Sequence, residues 1–254
     1  MKDTNRLIHE VLQVKFRAIL DEEKSLQNIL FQILAEGAAY LIGGYVRDVL
    51  EGVDSRDLDI VVDIRRERLK EIVNGDPCIK QFNRFGGVKL RLTKIDVDIW
   101  SFDNNWAFKN KLVKLNEKEK LNSLAKGCFY NYDALVVNLS KFTYSTKFYE
   151  AFLNEGMLDI LQKRSVYKNL NPTLEANILR AIFIKKKHGV HFSTHLKEYI
   201  YKKMLFLNDV YGNVTNRLIT VREGYPKYIL VSKDDIDNTL MELKQEMPQS
   251  LFDY

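Results

Sequence analysis

Residues 40–63 read YLIGGYVRDVLEGVDSRDLDIVVD, and the fold turns on them. Residues 38–42 and 58–62 are apolar runs of strand character. Gly43-Gly44 sits where the first run gives way to a short helix over residues 45–50, which Gly52 ends. Glycines at such a junction let backbone N–H groups approach an anion, and the start of the helix adds partial positive charge. The pair therefore reads as a phosphate cradle. Asp57 and Asp59 lie two residues apart at the entry to the second strand. The strand period puts both carboxylates on one face and turns Leu58 and Ile60 to the core. Neighbouring acids repel each other and are costly to keep unless a cation lies between them.

Downstream, residues 88–92 and 95–100 alternate in the manner of strands, with Thr93-Lys94 between them as a hairpin turn. The second of these strands carries another acid pair, Asp96 and Asp98, again on one face. A carboxylate from this strand beside Asp57 and Asp59 makes an oxygen-rich site suited to Mg²⁺. Two such ions stabilise both the attacking and the leaving oxygen of a phosphoryl displacement.

Around this centre, residues 7–35 have helical periodicity broken by a charged turn at 21–24, and 64–73 form a charged amphipathic helix. Residues 103–116 are polar and lysine-bearing and read as a loop. Residues 117–125 are helical, and 132–139 are apolar. The order predicts a small mixed sheet backed by helices. From residue 152 onward the pattern is helical, clearest over 175–187, 194–205 and 234–245. The expected fold class is α+β, with a sheet-containing head over residues 1–145 and a mostly helical domain over 146–254.

Composition bounds the function. The 254 residues are 46% hydrophobic and 29% charged, ordinary for a globular protein. Cys78 and Cys128 lack metal-ligand spacing, which argues against a zinc site or a disulfide framework and for a reducing compartment. No apolar run is long enough to span a membrane and no secretory signal opens the chain, so the expected location is cytoplasmic. The net charge of +5 is unevenly spread: residues 163–203 hold ten Lys/Arg against two acids, and residues 234–253 hold six acids against one lysine. Basic segments of this kind track phosphates, or are solvated helix faces. His9, His188, His191 and His195 have no zinc pattern. Tyr130, Tyr132, Tyr144 and Tyr149 suit either core packing or stacking on bases.

Gly43-Gly44-Tyr45-Val46-Arg47-Asp48 followed by Asp57-Leu58-Asp59-Ile60-Val61-Val62 resembles the G-G-x-V-R-D…D-x-D-[IL]-V signature of bacterial CCA-adding enzymes and poly(A) polymerases. These are the class II tRNA nucleotidyltransferases of the polymerase-β superfamily. Phe85-Gly86-Gly87-Val88 resembles that family's F-G-T-V, and residues 98–102 resemble its E-V-T-T-F. The latter match implies Asp98 as the third carboxylate, with Asp96 as the fallback. Residues 178–182, ILRAI, resemble the start of its neck helix. The resemblance implies that Asp57, Asp59 and Asp98 bind two Mg²⁺ ions and carry catalysis. It also implies that Gly43 and Gly44 hold the triphosphate of an NTP, and that Arg47 and Arg56 contact phosphate oxygens. Asp48 would buttress the glycine loop or a neighbouring arginine.

Two family motifs are altered. R-R-D-F-T-I-N-A-L falls on residues 127–135, GCFYNYDAL, without either arginine and with Asp133 at the family's asparagine. The base-selecting E-D-x-x-R falls on Thr173, Leu174 and Asn177. Base choice depends on matched donors and acceptors, so nucleotide selection should be relaxed or changed. The expected activity is addition of a nucleotide to the 3′ end of an RNA, tRNA or tRNA-like. The alternatives are a protein or small-molecule acceptor, as in toxin or antibiotic-modifying relatives, and a non-catalytic nucleotide- or RNA-binding protein.

Overall fold

The computed structural model describes residues 2–55, 57–82, 86–162 and 173–247. They fall into two compact units, Met1–Glu150 and Ala151–Tyr254.

The first unit opens with α1 (Lys2–Glu22) and α2 (Lys24–Glu36). The break between them falls at Glu23, whose backbone leaves the helical region at φ −108°, ψ 77°, inside the charged run that marked a turn in the sequence. The remaining elements are β1 (Ala39–Ile42), α3 (Gly44–Leu50), β2 (Asp57–Val62), α4 (Arg66–Val73), β3 (Ile79–Phe82), β4 (Val88–Arg91), β5 (Asp96–Ser101), α5 (Trp106–Lys109), α6 (Lys120–Lys126), β6 (Val136–Asn138) and β7 (Tyr144–Ser145). The strands form one mixed sheet in the order β3-β4-β5-β2-β1-β6-β7. Among the described residues, the β2–β5 pair of this sheet is parallel and its other pairs are antiparallel. Strand alternation sets the faces: Leu58, Ile60, Leu90, Val97 and Ile99 are fully buried, while the acids between them are not.

The hairpin forms as the sequence implies. Leu92 N–H donates to the Ile95 carbonyl at 3.2 Å, leaving Thr93-Lys94 as the turn. Glu23, 7% exposed, holds that turn from the helix break by accepting from the amides of Thr93 (2.9 Å) and Lys94 (3.4 Å). Gly37 is needed for a different reason: a Cβ there would lie 2.3 Å from the Asp63 carbonyl oxygen. Two features differ from the expectation. Residues 103–116 are not simply a loop, because they contain α5 and bury Ala107 and Val113; two apolar anchors outweigh a lysine-rich composition. The edge strand β3 is too polar and short to show the period of two.

In the second unit, β8 (Met157–Leu158) pairs in parallel with β9 (His191–Phe192). The expected helical segments over 175–187, 194–205 and 234–245 are α8 (Leu174–His188), α9 (Thr194–Tyr211) and α11 (Lys233–Glu246), with α10 (Val214–Arg222) between the last two. Thr173, Ser193, Asn213 and Ser232 supply the N-caps, and Gly189 and Gly212 end α8 and α9 in the left-handed conformation. Ile178, Leu179, Leu196, Ile200, Met204, Leu218 and Ile236 are fully buried. The helix α7 (Lys147–Glu155) runs across the division between the units. Among the described residues no helix is long and apolar enough to cross a membrane.

Candidate active site

The site begins with register. In the parallel pair, Asp57 stands opposite Asp96 and Asp59 opposite Asp98. Directly opposed residues of paired strands share a face, so four carboxylates from adjacent strands occupy one side of the sheet. The antiparallel β1–β2 pair matches Ile42 with Asp59. Gly43, the next residue, therefore enters the α3 turn at the end of the sheet where β2 starts with Asp57. Arg56, expected to contact phosphate, lies outside the described residues, as does Phe85 of the family-like F-G-G-V.

Of these acids Asp98 is the one whose surroundings work most against its charge. Burial pushes the Asp98 carboxyl above its ordinary 3.8; Lys89 pulls it back, while the charges of Asp57 and Asp96 push with burial. The sequence reading missed Lys89. Its Nζ lies 3.4 Å from Oδ2 of Asp96 and 3.4 Å from Oδ2 of Asp98. Burial works against its charge, yet the two carboxylates hold its pKa above 10.5. A signal for it existed: with Thr93-Lys94 as the turn, the hairpin register sets Lys89 opposite Asp98. Asp96 is further met by Lys80 at 4.0 Å and Arg91 at 3.7 Å. An open cleft beside these groups is bounded by Asp57, Asp96, Arg91 and turn residues 92–95.

Gly43 adopts φ 73°, ψ −117°, a region that side-chain-bearing residues avoid, and its N–H donates to the Leu135 carbonyl at 2.8 Å. Arg47, one turn into α3, folds back so that Nη2 lies 3.7 Å from where a Gly44 Cβ would stand. Its Nη1 donates to Asp133 Oδ1 at 2.9 Å and its Nη2 to Asp48 Oδ1 at 3.1 Å. The guanidinium also lies over the Tyr132 ring at 4.2 Å. Asp48 thus buttresses the neighbouring arginine. Asp133, at the position of the family's asparagine, supplies Arg47 with a charged partner. Tyr130, Tyr132 and Tyr149 are buried, at 5% exposure or less, and serve as core.

In the second unit, residues 178–182 lie inside α8. Thr173 caps that helix and Asn177 is buried. Glu175, in the first turn of α8, accepts from Arg217 at 2.6 and 2.8 Å. Several lysines of the basic stretch face acids of α11: Lys185 pairs with Glu242, Lys186 with Asp235 at 2.6 Å, and Lys197 with Glu246 at 2.6 Å.

Asp57, Asp59 and Asp98 are hard oxygen donors of the kind Mg²⁺ prefers, carried on adjacent strands and one face, so the donor set fits such an ion in kind. Their aim differs. Among the described residues no three His, Cys, Asp or Glu side chains converge to hold a metal, and Asp98 faces the Lys89 ammonium at 3.4 Å.

Comparison with known proteins agrees with this architecture. Residues 39–143 match the family model of the poly A polymerase head domain. No curated protein sequence matches the chain. Among solved structures, the Thermotoga maritima CCA-adding enzyme complexed with tRNA is 16% identical with a TM-score of 0.59, over 87% of this chain and 50% of that one. A tRNA nucleotidyltransferase complexed with a primer tRNA and an incoming ATP analog is 18% identical with a TM-score of 0.55, over 86% of this chain and 59% of that one. A tRNA-processing enzyme complex is 21% identical with a TM-score of 0.51, over 80% of this chain and 56% of that one. The chain thus spans between 50% and 59% of the length of these structures. At such identities the likeness establishes a shared fold.

Proposed function

We propose, from the premise that residues 39–143 form a poly A polymerase head-like domain within a nucleotidyltransferase fold, that this chain transfers a nucleotide from an NTP to the 3′ end of an RNA in a Mg²⁺-dependent reaction. The acceptor would be a tRNA or a tRNA-like end. The observation that carries this reading is the β2–β5 register, which sets Asp59 opposite Asp98 on one face beside the Gly43 turn.

Asp57, Asp59 and Asp98 would hold the ions. Bound there, Mg²⁺ supplies charge neutralisation to the transferred phosphoryl group and acidity to the attacking hydroxyl. The chain's own part is positioning. Gly43 and Gly44 leave room for the triphosphate at the start of α3. Arg47, clamped by Asp48 and Asp133, fixes the turn and keeps a positive charge beside Gly44. Arg56 would complete the phosphate contacts. The residues at the base-selecting positions offer a helix cap and a buried amide in place of a charged template, which supports a nucleotide rule other than C-C-A.

A protein or small-molecule acceptor is favoured by one observation: Lys185, Lys186 and Lys197 already face acids of α11, which reduces the positive charge available to an RNA backbone. One assay distinguishes the readings. The protein is incubated with Mg²⁺, each labelled NTP in turn and total RNA, beside a D57A/D59A control. Label on RNA that the control abolishes is the expected result. Label only on protein or small molecules would move the proposal to the second acceptor class. Nucleotide binding without any transfer would make the chain a non-catalytic relative.

A further inference from the structure

The acid face carries a cation of its own. Asp98 lies between two opposite neighbours, Asp59 of β2 and Lys89 of β4, each directly across in register. Lys89 is 21% exposed at its side chain and shares its ammonium equally between Asp96 and Asp98, 3.4 Å from an oxygen of each. An ammonium neutralises carboxylates, but it has donors only and no coordination position to offer a phosphate oxygen. An ion shared with the β2 acids would draw on the same Asp98 carboxylate as the Lys89 ammonium, and the two like charges would repel across it. Asp96, already met by Lys80 and Arg91, stands where it can keep the ammonium when Asp98 departs.

Resting on the reading of this face as a divalent-ion site, we propose that Lys89 is a positioning residue that competes with the divalent cation for Asp98, and that Asp96 is the acceptor to which Lys89 withdraws. The second acid pair then has two distinct tasks. Asp98 serves the ion, and Asp96 serves the lysine. Lys89 keeps the four-acid face neutral enough to fold and sets how much divalent cation, or metal-bearing nucleotide, is needed to assemble the site. Loss of the ammonium removes one partly screened unit charge from beside Asp98, which should strengthen divalent binding about tenfold.

The test is a titration of the full chain with Mn²⁺ alone, no nucleotide present, free Mn²⁺ being read by electron paramagnetic resonance. K89M, which retains most of the alkyl stem, should bind Mn²⁺ about tenfold more tightly than wild type. K89R, which retains the charge, should stay near wild type. D96N should bind more weakly, because Lys89 is left with Asp98 alone. Thermal melts establish that each variant is folded, and if K89M is not, the D96N comparison decides. Equal affinity of K89M and wild type, or of D96N and wild type when K89M is unfolded, overturns the proposal if D57N still lowers Mn²⁺ binding; the divalent-site reading then stands. Weaker binding by K89M also overturns it. If wild type, K89M and D57N all fail to bind Mn²⁺, the divalent-site reading falls, and the proposal with it.

Discussion

At the scale of single residues, the site separates groups that carry chemistry from groups that carry geometry. D98N retains the shape of Asp98 and removes its charge, so transfer should fall about a hundredfold or more with little change in stability; equal rates for D98N and wild type would exclude Asp98 as a ligand. Arg47 belongs to the second kind. It is 12% exposed at its side chain and bonded to Asp133, itself 12% exposed, and to Asp48. R47M would strand these carboxylates in a poorly solvated place and should cost about 3 kcal/mol in urea unfolding. D133N should cost less, because an amide oxygen still accepts from Nη1; a D133N loss as large as that of R47M would mean the charge, not the hydrogen bond, fixes the turn. Gly43 would pay for a side chain in backbone strain: at φ 73°, ψ −117°, G43A should lose about 1–3 kcal/mol of stability.

At the scale of elements, the first unit is tied together where helix and hairpin meet. Glu23 accepts two turn amides through a single buried oxygen. E23A would leave those amides without an acceptor and should destabilise the chain by about 1–3 kcal/mol, with exchange of the Thr93 and Lys94 amides rising as the direct readout. In the second unit α11 begins with a reciprocal cap, Ser232 bonded to the Asp235 amide and Asp235 bonded back to the Ser232 amide. S232A should cost about 1 kcal/mol. Burial works against the Asp235 carboxylate, but the Lys186 ammonium and the Ser232 amide and hydroxyl prevail and hold its pKa below 3.8. A depressed carboxylate stabilises the fold above its unfolded pKa and loses that contribution as pH falls through the folded value. The stability gap between wild type and D235N should therefore be constant from neutral pH to about pH 5 and close below 3.8. A gap that persists to pH 2 would show that the charge of Asp235 is not what caps α11.

At the scale of the whole molecule, charge counted along the chain differs from charge presented in space. The ten cations of residues 163–203 suggest a strong polyanion surface, yet Lys185, Lys186 and Lys197 face Glu242, Asp235 and Glu246. Each phosphate contact contributes about −0.9 to the slope of log affinity against log salt. The triple variant K185A/K186A/K197A should shift that slope for RNA binding by well under one contact's worth, and a shift near three contacts would show that RNA displaces α11's acids.

The strand–glycine–helix–strand unit is legible from the residues alone, because local chemistry suffices there. A Gly pair that tolerates positive φ, a period-two acid pair and a β-branched run each act over a few residues. The helix break in the charged run at 21–24 is legible there too, as is the two-residue hairpin from which the Lys89–Asp98 opposition follows. The parallel β2–β5 pairing, the edge strand β3, the buried anchors of residues 103–116 and Arg47's commitment to Asp133, 86 positions away, are not legible in the sequence. Nor did it show that acids of α11 face Lys185, Lys186 and Lys197. These depend on which surfaces meet after the chain has folded back, and pairing between distant segments is fixed by packing and desolvation, which no local pattern records.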